Sequence, residues 1–286
     1  MRAVRHTVGG IEVLDVAPPS SGVIVRVTSA GICGSDLHLI AAGPLPQTLG
    51  HEFGGVLEDG TVVSVRPNAG CGACPACESD RVELCPVALT RILGVSADGG
   101  LAEYVGVDES CIVPLPSSVD PADAALAEPL AVAVHGLRDL RRHAHVLVVG
   151  AGPIGLCAIA VALDAGHAVS FVAHRAARGD AARRLGAAPA REGSTFEVVV
   201  DAAGTATSAA TAAEYAAPGG TVVMLGTWWD PTPLDGRWQL KELTLLPRFM
   251  YGHADFQAAA AVLASVPSLR EAMVTHRFAL DDAAAA

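Results

Sequence analysis

Four cysteines lie close together in the first third of the chain, and they constrain its structure more than any other feature. They follow the pattern Cys71-x2-Cys74-x2-Cys77-x7-Cys85. A short loop with four thiolates can wrap one ion and leave no coordination position open, as a structural zinc site requires. Two disulfides are the alternative, but clustered cysteines in a chain without secretory features indicate metal ligands. The sequence therefore predicts a closed tetrahedral zinc site.

Composition excludes several classes of protein. With 286 residues, of which 51% are apolar and 17% charged, the chain can bury a large core and form two domains, so it is not disordered. The net charge of −11 argues against a nucleic acid partner. No apolar run approaches the roughly 18 residues of a membrane span, and no signal peptide is apparent. Seven cysteines, mostly assigned to metal, favour a reducing cytoplasm.

The pattern of secondary structure changes along the chain. Up to about Asp120, short β-branched segments alternate with glycines and prolines, which predicts a β-rich domain. From His145 onward, strands and helices alternate, which predicts a doubly wound parallel sheet. The predicted fold class is thus α/β with two domains. We expect a β-rich domain at 1–127, completed by 253–286, and a cofactor domain at 128–252.

A glycine-rich turn follows the first strand of the alternating region. The segment Gly150-Ala-Gly152-Pro-Ile-Gly155 comes directly after the apolar strand His145–Val149 and opens an apolar helix. Glycines at these positions permit a tight turn, backbone approach to a pyrophosphate and close packing of helix on strand. The N-terminus of the helix also attracts phosphate groups. We therefore expect a dinucleotide to contact Gly150, Gly152, Pro153, Ile154, Gly155, Gly204 and Gly226.

The residues after the next strand bear on the choice between NAD and NADP. An NAD site has Asp or Glu there for the ribose hydroxyls, whereas this chain has Val172-Ala173-His174-Arg175 and then Arg178. An arginine can bind a 2′-phosphate through its planar fork of donors. The alternative is that both arginines are solvated charges on a helix surface. We expect His174, Arg175 and Arg178 to bind the cofactor, with NADP preferred and NAD as the alternative.

Cys33 and His51, each close to glycines, predict a second metal site that is open. Glu128, in Ala127-Glu128-Pro129, is a candidate for the third ligand. Three protein ligands and a water molecule form a catalytic zinc site, in which the metal acts as a Lewis acid. Asp36 is placed to orient a metal-bound histidine.

Taken together, these motifs resemble the zinc-dependent medium-chain dehydrogenases, the family of zinc alcohol, polyol and threonine dehydrogenases. The matching segments occur in family order: Cys33-x-Ser35-Asp36, Gly50-His51-Glu52, the four-cysteine segment and Gly150-x-Gly152-x-x-Gly155. The resemblance implies a GroES-like catalytic domain, a Rossmann cofactor domain and two zinc ions per chain. It also implies hydride transfer between a small alcohol or carbonyl substrate and a nicotinamide cofactor, in a homodimer or homotetramer.

The resemblance also assigns roles to residues around the open metal site. Cys33, His51 and Glu128 would bind the catalytic zinc, while Glu52 would lie beside it or act as a transient ligand. Ser35 would receive the proton of the substrate, and His38 would pass it to solvent. His38 taken alone could also be an ordinary surface histidine.

Two other functions stay open, and departures from the family pattern are the reason for the non-catalytic one. The hairpin between Gly55 and Val62 is shortened, and the link from Leu185 to Glu197 lacks room for the usual helix and strand. The chain also ends at Ala286, where relatives continue into a last strand of the catalytic domain. One alternative is an NAD-dependent polyol or sugar-alcohol dehydrogenase. The other is a non-catalytic nucleotide-binding relative that holds only the structural zinc.

Overall fold

The chain divides into two units within residues 1–141 and 143–286, which are the residues that the computed structural model describes. The first unit contains Met1–Glu128, Tyr251–Ala264 and His276–Ala286, and the second contains Pro129–Met250 and Ser265–Thr275.

The regular elements follow one another in the order that the sequence pattern indicates. The strands are β1 (Arg2–Thr7), β2 (Gly10–Asp15), β3 (Val23–Gly31), β4 (Leu45–Thr48), β5 (Glu52–Val56), β6 (Val62–Val65), β7 (Tyr104–Val107), β8 (Ile112–Pro114), β9 (His145–Val149), β10 (Ala168–Val172), β11 (Ala188–Pro189), β12 (Phe196–Asp201), β13 (Ala216–Met224) and β14 (Thr244–Pro247). The helices are α1 (Gly34–Ala41), α2 (Pro75–Glu78), α3 (Ala127–Leu137), α4 (Pro153–Asp164), α5 (Ala176–Leu185), α6 (Ala206–Tyr215), α7 (Gly236–Leu240), α8 (His253–Ser265) and α9 (Ser268–Met273).

Antiparallel strands form the first unit. One sheet has the order β7-β3-β5-β6-β8, and a smaller sheet has the order β2-β1-β4. Val25, Phe53 and Val63, one from each of β3, β5 and β6, are fully buried against each other, because alternate residues of a strand face the same side of its sheet. This core fixes the strand ends from which Cys33, His51 and Glu52 extend.

A parallel six-stranded sheet forms the second unit, with the order β11-β10-β9-β12-β13-β14. The central strand β9 is buried, as are Leu156 to Ala162 in the helix that follows it. A helix that is apolar on all sides is stable only when it is enclosed by other elements. The edge strand β11 has only two residues, which agrees with the short link expected between α5 and β12. The predicted fold class, a β-rich GroES-like part and a Rossmann-like parallel sheet, is confirmed.

The chain after Asp120 begins with a tighter turn than an α-helix. The carboxylate of Asp120 accepts a hydrogen bond of 2.9 Å from the Ala122 amide and caps a 3₁₀ turn over Pro121–Leu126, after which α3 begins. Capping by Asp with Pro at the first helical position is the expected arrangement.

The last part of the chain is divided between the units. Ser265–Thr275 belongs to the second unit, where α9 packs against α4 and α5 and where Met273 lies 3.4 Å from Cys157 between sulfur atoms. The sequence analysis assigned all of 253–286 to the first domain. These domain bounds stay a prediction.

None of the helices in the described residues combines the length and the apolar character needed to cross a bilayer.

The only lysine of the chain caps a helix in the second unit. Its ammonium donates to the carbonyl oxygens of Ala213 at 2.9 Å, Glu214 at 2.7 Å and Ala216 at 2.8 Å, at the C-terminal end of α6. The last carbonyls of a helix have no partner within it, and a cation is stabilised by the helix dipole at this end. Lys241 therefore links α6 to the segment that precedes β14.

We expect Lys241→Met to lower the free energy of unfolding by about 2 kcal/mol, because three carbonyls lose a charged donor while the aliphatic stem is kept. Urea unfolding followed by circular dichroism measures this change. Lys241→Arg is the control, since it keeps the charge and should restore part of the loss. A Lys241→Met protein as stable as the wild type would show that the three hydrogen bonds contribute nothing.

Candidate metal and cofactor sites

Cys33, His51 and Glu52 form one group of metal-ligating atoms in the first unit. Their sulfur, nitrogen and oxygen atoms all lie within 4.8 Å of one another. Cys33 precedes α1 as its N-cap, and His51 and Glu52 stand at the start of β5. Two of the three ligands expected from the sequence are thus brought together, and the third member of the group is Glu52 rather than Glu128.

Asp36 fixes the orientation of both Cys33 and His51. It is 1% exposed, and one oxygen accepts the Cys33 amide at 2.8 Å. Its other oxygen lies 3.3 Å from His51 Nδ1, within ion-pair range although not in the orientation of a well-formed hydrogen bond. With Nδ1 directed at the carboxylate, Nε2 is the ring nitrogen left to bind a metal, which is how such carboxylates select the ligating nitrogen.

Gly31 makes room for the side chain of Glu52. The two residues are paired across β3 and β5, and a Cβ atom at position 31 would lie 2.2 Å from Glu52 Oε2. Any larger residue at position 31 would therefore displace the carboxylate from the group. Gly31, two residues before Cys33, is part of the site because it leaves room for this carboxylate.

Negative charge accumulates around His51. Burial lowers the pKa of His51, but the interactions with Asp36 and Cys33 and the charge of Glu128 outweigh it and raise the pKa to about 11. Burial, followed by the charge of Glu128, raises the pKa of Glu52 to about 7. Carboxylates removed from water need a compensating cation. A divalent metal bound by Cys33, His51 and a carboxylate would supply that charge, so the donor set and its surroundings fit zinc.

Glu128 lies close to this group, but another residue holds it. Its carboxylate accepts a hydrogen bond from the hydroxyl of Tyr251, which is 1% exposed. Burial raises the pKa of Glu128, and burial together with the charge of Glu128 raises the pKa of Tyr251 well above its usual value. No motif pointed to Tyr251, because this tyrosine lies far along the chain from the other residues of the group.

Ser35 and His38 both belong to α1. The hydroxyl of Ser35 lies 3.6 Å from the Cys33 sulfur, so it is beside the candidate metal group. His38 is three residues later on the same helix and is exposed. Residues three apart share a helix face, which is the spacing that a proton path from the group to solvent requires.

The four clustered cysteines converge in a lobe around α2. Their sulfur atoms all lie within 4.8 Å of one another, with 3.6 Å between Cys74 and Cys77 and 4.0 Å between Cys71 and Cys77. Zn–S bonds of about 2.3 Å in a tetrahedron place sulfur atoms about 3.8 Å apart. A disulfide would require about 2.05 Å, and none of the four is in a disulfide. Hydrogen bonding from the backbone, that of Cys71 first, lowers the pKa of Cys85 to about 6, which favours a thiolate.

The glycine-rich turn of the second unit connects β9 to α4. Gly150 has φ +95°, and a Cβ atom at Gly155 would lie 1.8 Å from the Gly150 carbonyl oxygen, so no side chain fits there. Gly152 is the N-cap of α4, and Pro153 and Ile154 form its first turn. Gly204 and Gly226 adjoin one another after β12 and β13. The expected cofactor glycines thus gather at the carboxyl ends of the strands, where open α/β sheets bind ligands.

His174, Arg175 and Arg178 follow β10 at the same edge, and all three are exposed. Arg178 reaches back to the glycine-rich turn: its Nη1 would lie 3.2 Å from a Cβ atom at Gly152. Arg175 is the N-cap of α5. The first carboxylate after the strand, Asp180, is paired with Arg183 at 2.8 Å.

Comparison with known proteins identifies both parts of the chain. Residues 19–117 match the alcohol dehydrogenase GroES-like domain, and residues 153–265 match the zinc-binding dehydrogenase domain. The L-galactonate-5-dehydrogenase of Escherichia coli K12 is 32% identical over 91% of this chain and 85% of its own length. The chain belongs to the zinc-dependent medium-chain dehydrogenase family.

Two solved structures show which cofactors such folds hold. A zinc-binding dehydrogenase from Sinorhizobium meliloti 1021, solved with NADP, is 31% identical, with a TM-score of 0.88 over 99% of this chain and 93% of its own. An alcohol dehydrogenase from E. coli CFT073, solved with NADH, is 26% identical, with a TM-score of 0.88 over 100% and 94%. This medium-chain dehydrogenase is thus a zinc-dependent oxidoreductase of alcohol or carbonyl substrates that uses a nicotinamide cofactor.

Asp201 organises the cofactor end of this medium-chain dehydrogenase, and the sequence analysis did not identify it. Its side chain is fully buried at the end of β12, where one oxygen accepts the amides of Ala203 and Gly204 at 3.1 Å each. Its other oxygen accepts the indole N–H of Trp228 at 2.9 Å. One carboxylate thus holds both loops that carry Gly204 and Gly226. A buried acid directly after a parallel strand was the available signal.

We expect Asp201→Asn to weaken NADP or NAD binding by about tenfold, or 1.4 kcal/mol. The amide would turn an NH₂ donor toward one of three N–H groups that now have an acceptor, and an unsatisfied buried donor is unfavourable. Titration of tryptophan fluorescence with cofactor measures the change. Glu197→Gln, an exposed carboxylate on the same strand, is the matched control. Equal affinities in the two variants would contradict this role of Asp201.

Proposed function

We propose that this chain is an NADP-preferring zinc alcohol dehydrogenase that holds two zinc ions, one catalytic and one structural. The observation that carries the proposal is the group of Cys33, His51 and Glu52, since the same first unit holds a separate set of four thiolates. A closed site stabilises a fold, whereas a site with three protein ligands keeps a position for substrate. The group therefore supports catalysis and disfavours a binding protein with only the structural zinc.

The residues around the group divide the work of alcohol oxidation. Zinc bound there supplies a Lewis acid that lowers the pKa of a hydroxyl, as it can lower that of water to about 7. We propose that Cys33 and His51 are permanent ligands and that Glu52 and Glu128 are alternatives for the third position. Asp36 keeps His51 in the ligating orientation.

Two residues of α1 remove the proton of the substrate hydroxyl. Ser35, beside the Cys33 sulfur, takes the proton, and His38, one helical turn later, passes it to solvent. A nicotinamide cofactor held at the glycine-rich turn would accept the hydride, with its electron pair, from the substrate carbon. Oxidation removes one proton and one hydride from the alcohol to give the carbonyl product, and the reverse reaction adds both to the carbonyl.

We propose polyols and sugar acids as the first substrates to test, since the E. coli relative is named for L-galactonate. Of the adjacent residues Trp228 and Trp229, the first donates its indole N–H to Asp201, and the second is exposed and offers an apolar surface. An apolar alcohol is therefore the second class to test. A homodimer or homotetramer in the cytoplasm, built from a GroES-like and a Rossmann domain with the bounds expected from the sequence, completes the proposal.

We expect about two zinc ions per chain in gently purified protein, and about one in Cys33→Ser together with loss of alcohol oxidation. The oxygen of serine is a poor ligand compared with a thiolate, while the four-cysteine lobe is unchanged. Mass-spectrometric metal analysis and an NADP-coupled assay measure both. Cys157→Ala is the control, because this buried cysteine belongs to the second unit, whereas both groups belong to the first. A Cys33→Ser protein with two zinc ions and full activity would refute the catalytic assignment.

NADP preference depends on Arg175. We expect Arg175→Ala to weaken NADP binding by about ten- to a hundredfold and to leave NAD binding unchanged, because a charged hydrogen bond to the 2′-phosphate contributes about 1.5–3 kcal/mol. Arg178→Ala should weaken both cofactors, since Arg178 lies beside Gly152 in the phosphate-binding turn. Arg184→Ala, elsewhere on α5, is the control. Unchanged NADP affinity in Arg175→Ala would favour the NAD-dependent alternative.

A further inference from the structure

The four-cysteine lobe is joined to a distant helix by one aspartate. Asp80 follows α2 directly and has φ +52°, a left-handed conformation that is uncommon outside glycine. Its two carboxylate oxygens accept the amides of His253 at 2.9 Å and Ala254 at 3.0 Å, the first residues of α8. A side chain 173 residues away in sequence therefore satisfies amides that a helix start leaves unpaired.

The backbone just before α8 packs directly against the backbone of Asp80. A Cβ atom at Gly252 would lie 2.4 Å from the Asp80 carbonyl oxygen, so the two backbones are in direct contact. The Gly252 amide also donates to Asp255 at 3.0 Å. Any displacement of the lobe must therefore move Gly252 and its neighbour in the chain, Tyr251.

Tyr251 connects this contact to the candidate catalytic group. Its ring is buried and packs edge-on against Phe256 of α8, with 5.4 Å between ring centres. Its carbonyl accepts Asn68 Nδ2 at 3.4 Å, and its hydroxyl donates to Glu128. Glu128 is held by this bond, while Glu52 occupies the group with Cys33 and His51.

We propose that Asp80 is a positioning residue that transmits the order of the four-cysteine lobe to the catalytic metal group through Tyr251 and Glu128. The inference rests on the proposed function, because it requires that both groups hold zinc. In this arrangement the four-cysteine lobe holds Asp80, whose amide donates to the Cys77 carbonyl at 3.2 Å. Asp80 holds the start of α8, and Tyr251 keeps Glu128 from competing with Glu52. All the residues involved belong to the first unit.

The test measures zinc release from the intact two-zinc protein into an excess of a colorimetric chelator. Two phases are expected, and Cys33→Ser identifies the one that belongs to the catalytic group. We expect Asp80→Ala to accelerate that phase about fivefold and to leave the four-cysteine phase unchanged. Tyr251→Phe should accelerate it about tenfold, because Glu128 freed from Tyr251 would displace Glu52, and loss of a residue that positions groups around a metal typically costs 10–100-fold in affinity.

The double variant separates a positioning role from simple destabilisation. If Asp80 acts through Tyr251, Asp80→Ala combined with Tyr251→Phe releases zinc no faster than Tyr251→Phe alone. Asp235→Ala, which removes a comparable aspartate cap from α7 in the second unit, is the matched control and should leave both phases at the wild-type rate.

Two further variants cover the case in which Asp80→Ala fails to fold. Asp80→Asn keeps the shape and one acceptor oxygen and should give a smaller acceleration. Gly252→Ala keeps the Asp80 carboxylate chemically intact but places a Cβ atom 2.4 Å from its carbonyl oxygen and 3.1 Å from Oδ2, and should accelerate the same phase. Additive effects in the double variant, or Asp80 variants that release zinc like Asp235→Ala, would overturn the inference. A wild-type chain with one zinc would instead overturn the proposed function.

Discussion

The arrangement of the first unit depends on burying several carboxylates close to one histidine. Against the effect of its burial, interactions with Asp36, Cys33 and Glu128 raise the pKa of His51 to about 11, and the charge of His51 in turn lowers the pKa of Glu52. Such a concentration of charge is unfavourable unless a cation is bound or the groups hold protons. The space left by Gly31, the Asp36 contact and the Tyr251 hydrogen bond are all means of keeping these acids in fixed positions. These contacts with the surrounding fold offset part of the free-energy cost of burying the acids.

Local patterns in the sequence predicted most of the fold and the clustering of the four cysteines. Alternating strands and helices after His145 gave the parallel sheet, and the cysteine spacing gave the four-sulfur lobe, because both depend on residues close together in the chain. The sequence also predicted the thin sheet edge at β11, since the link there is short. Glycine positions in the cofactor turn were predictable because their steric requirement is local.

The sequence did not predict contacts between residues that lie far apart in the chain. The Tyr251–Glu128 contact spans 123 positions, and nothing near Tyr251 marks it as part of a metal group. Asp201 bonds to Trp228 across two strands, so its role appears only once β12 and β13 are paired. The position of Glu52 ahead of Glu128 in the metal group likewise depends on the register of β3 against β5, which no spacing rule encodes.

The single lysine has a consequence for how this protein can be handled chemically. Reagents that acylate lysine meet one side chain, Lys241, whose ammonium already donates to three carbonyls at the end of α6. Attachment to an amine-reactive surface through this residue would therefore require that end of the helix to open. A lysine-specific protease likewise has one cleavage position along 286 residues, next to a residue engaged in tertiary contacts. Cleavage at Lys241 would yield two fragments, and its rate would measure how often the second unit opens at this position.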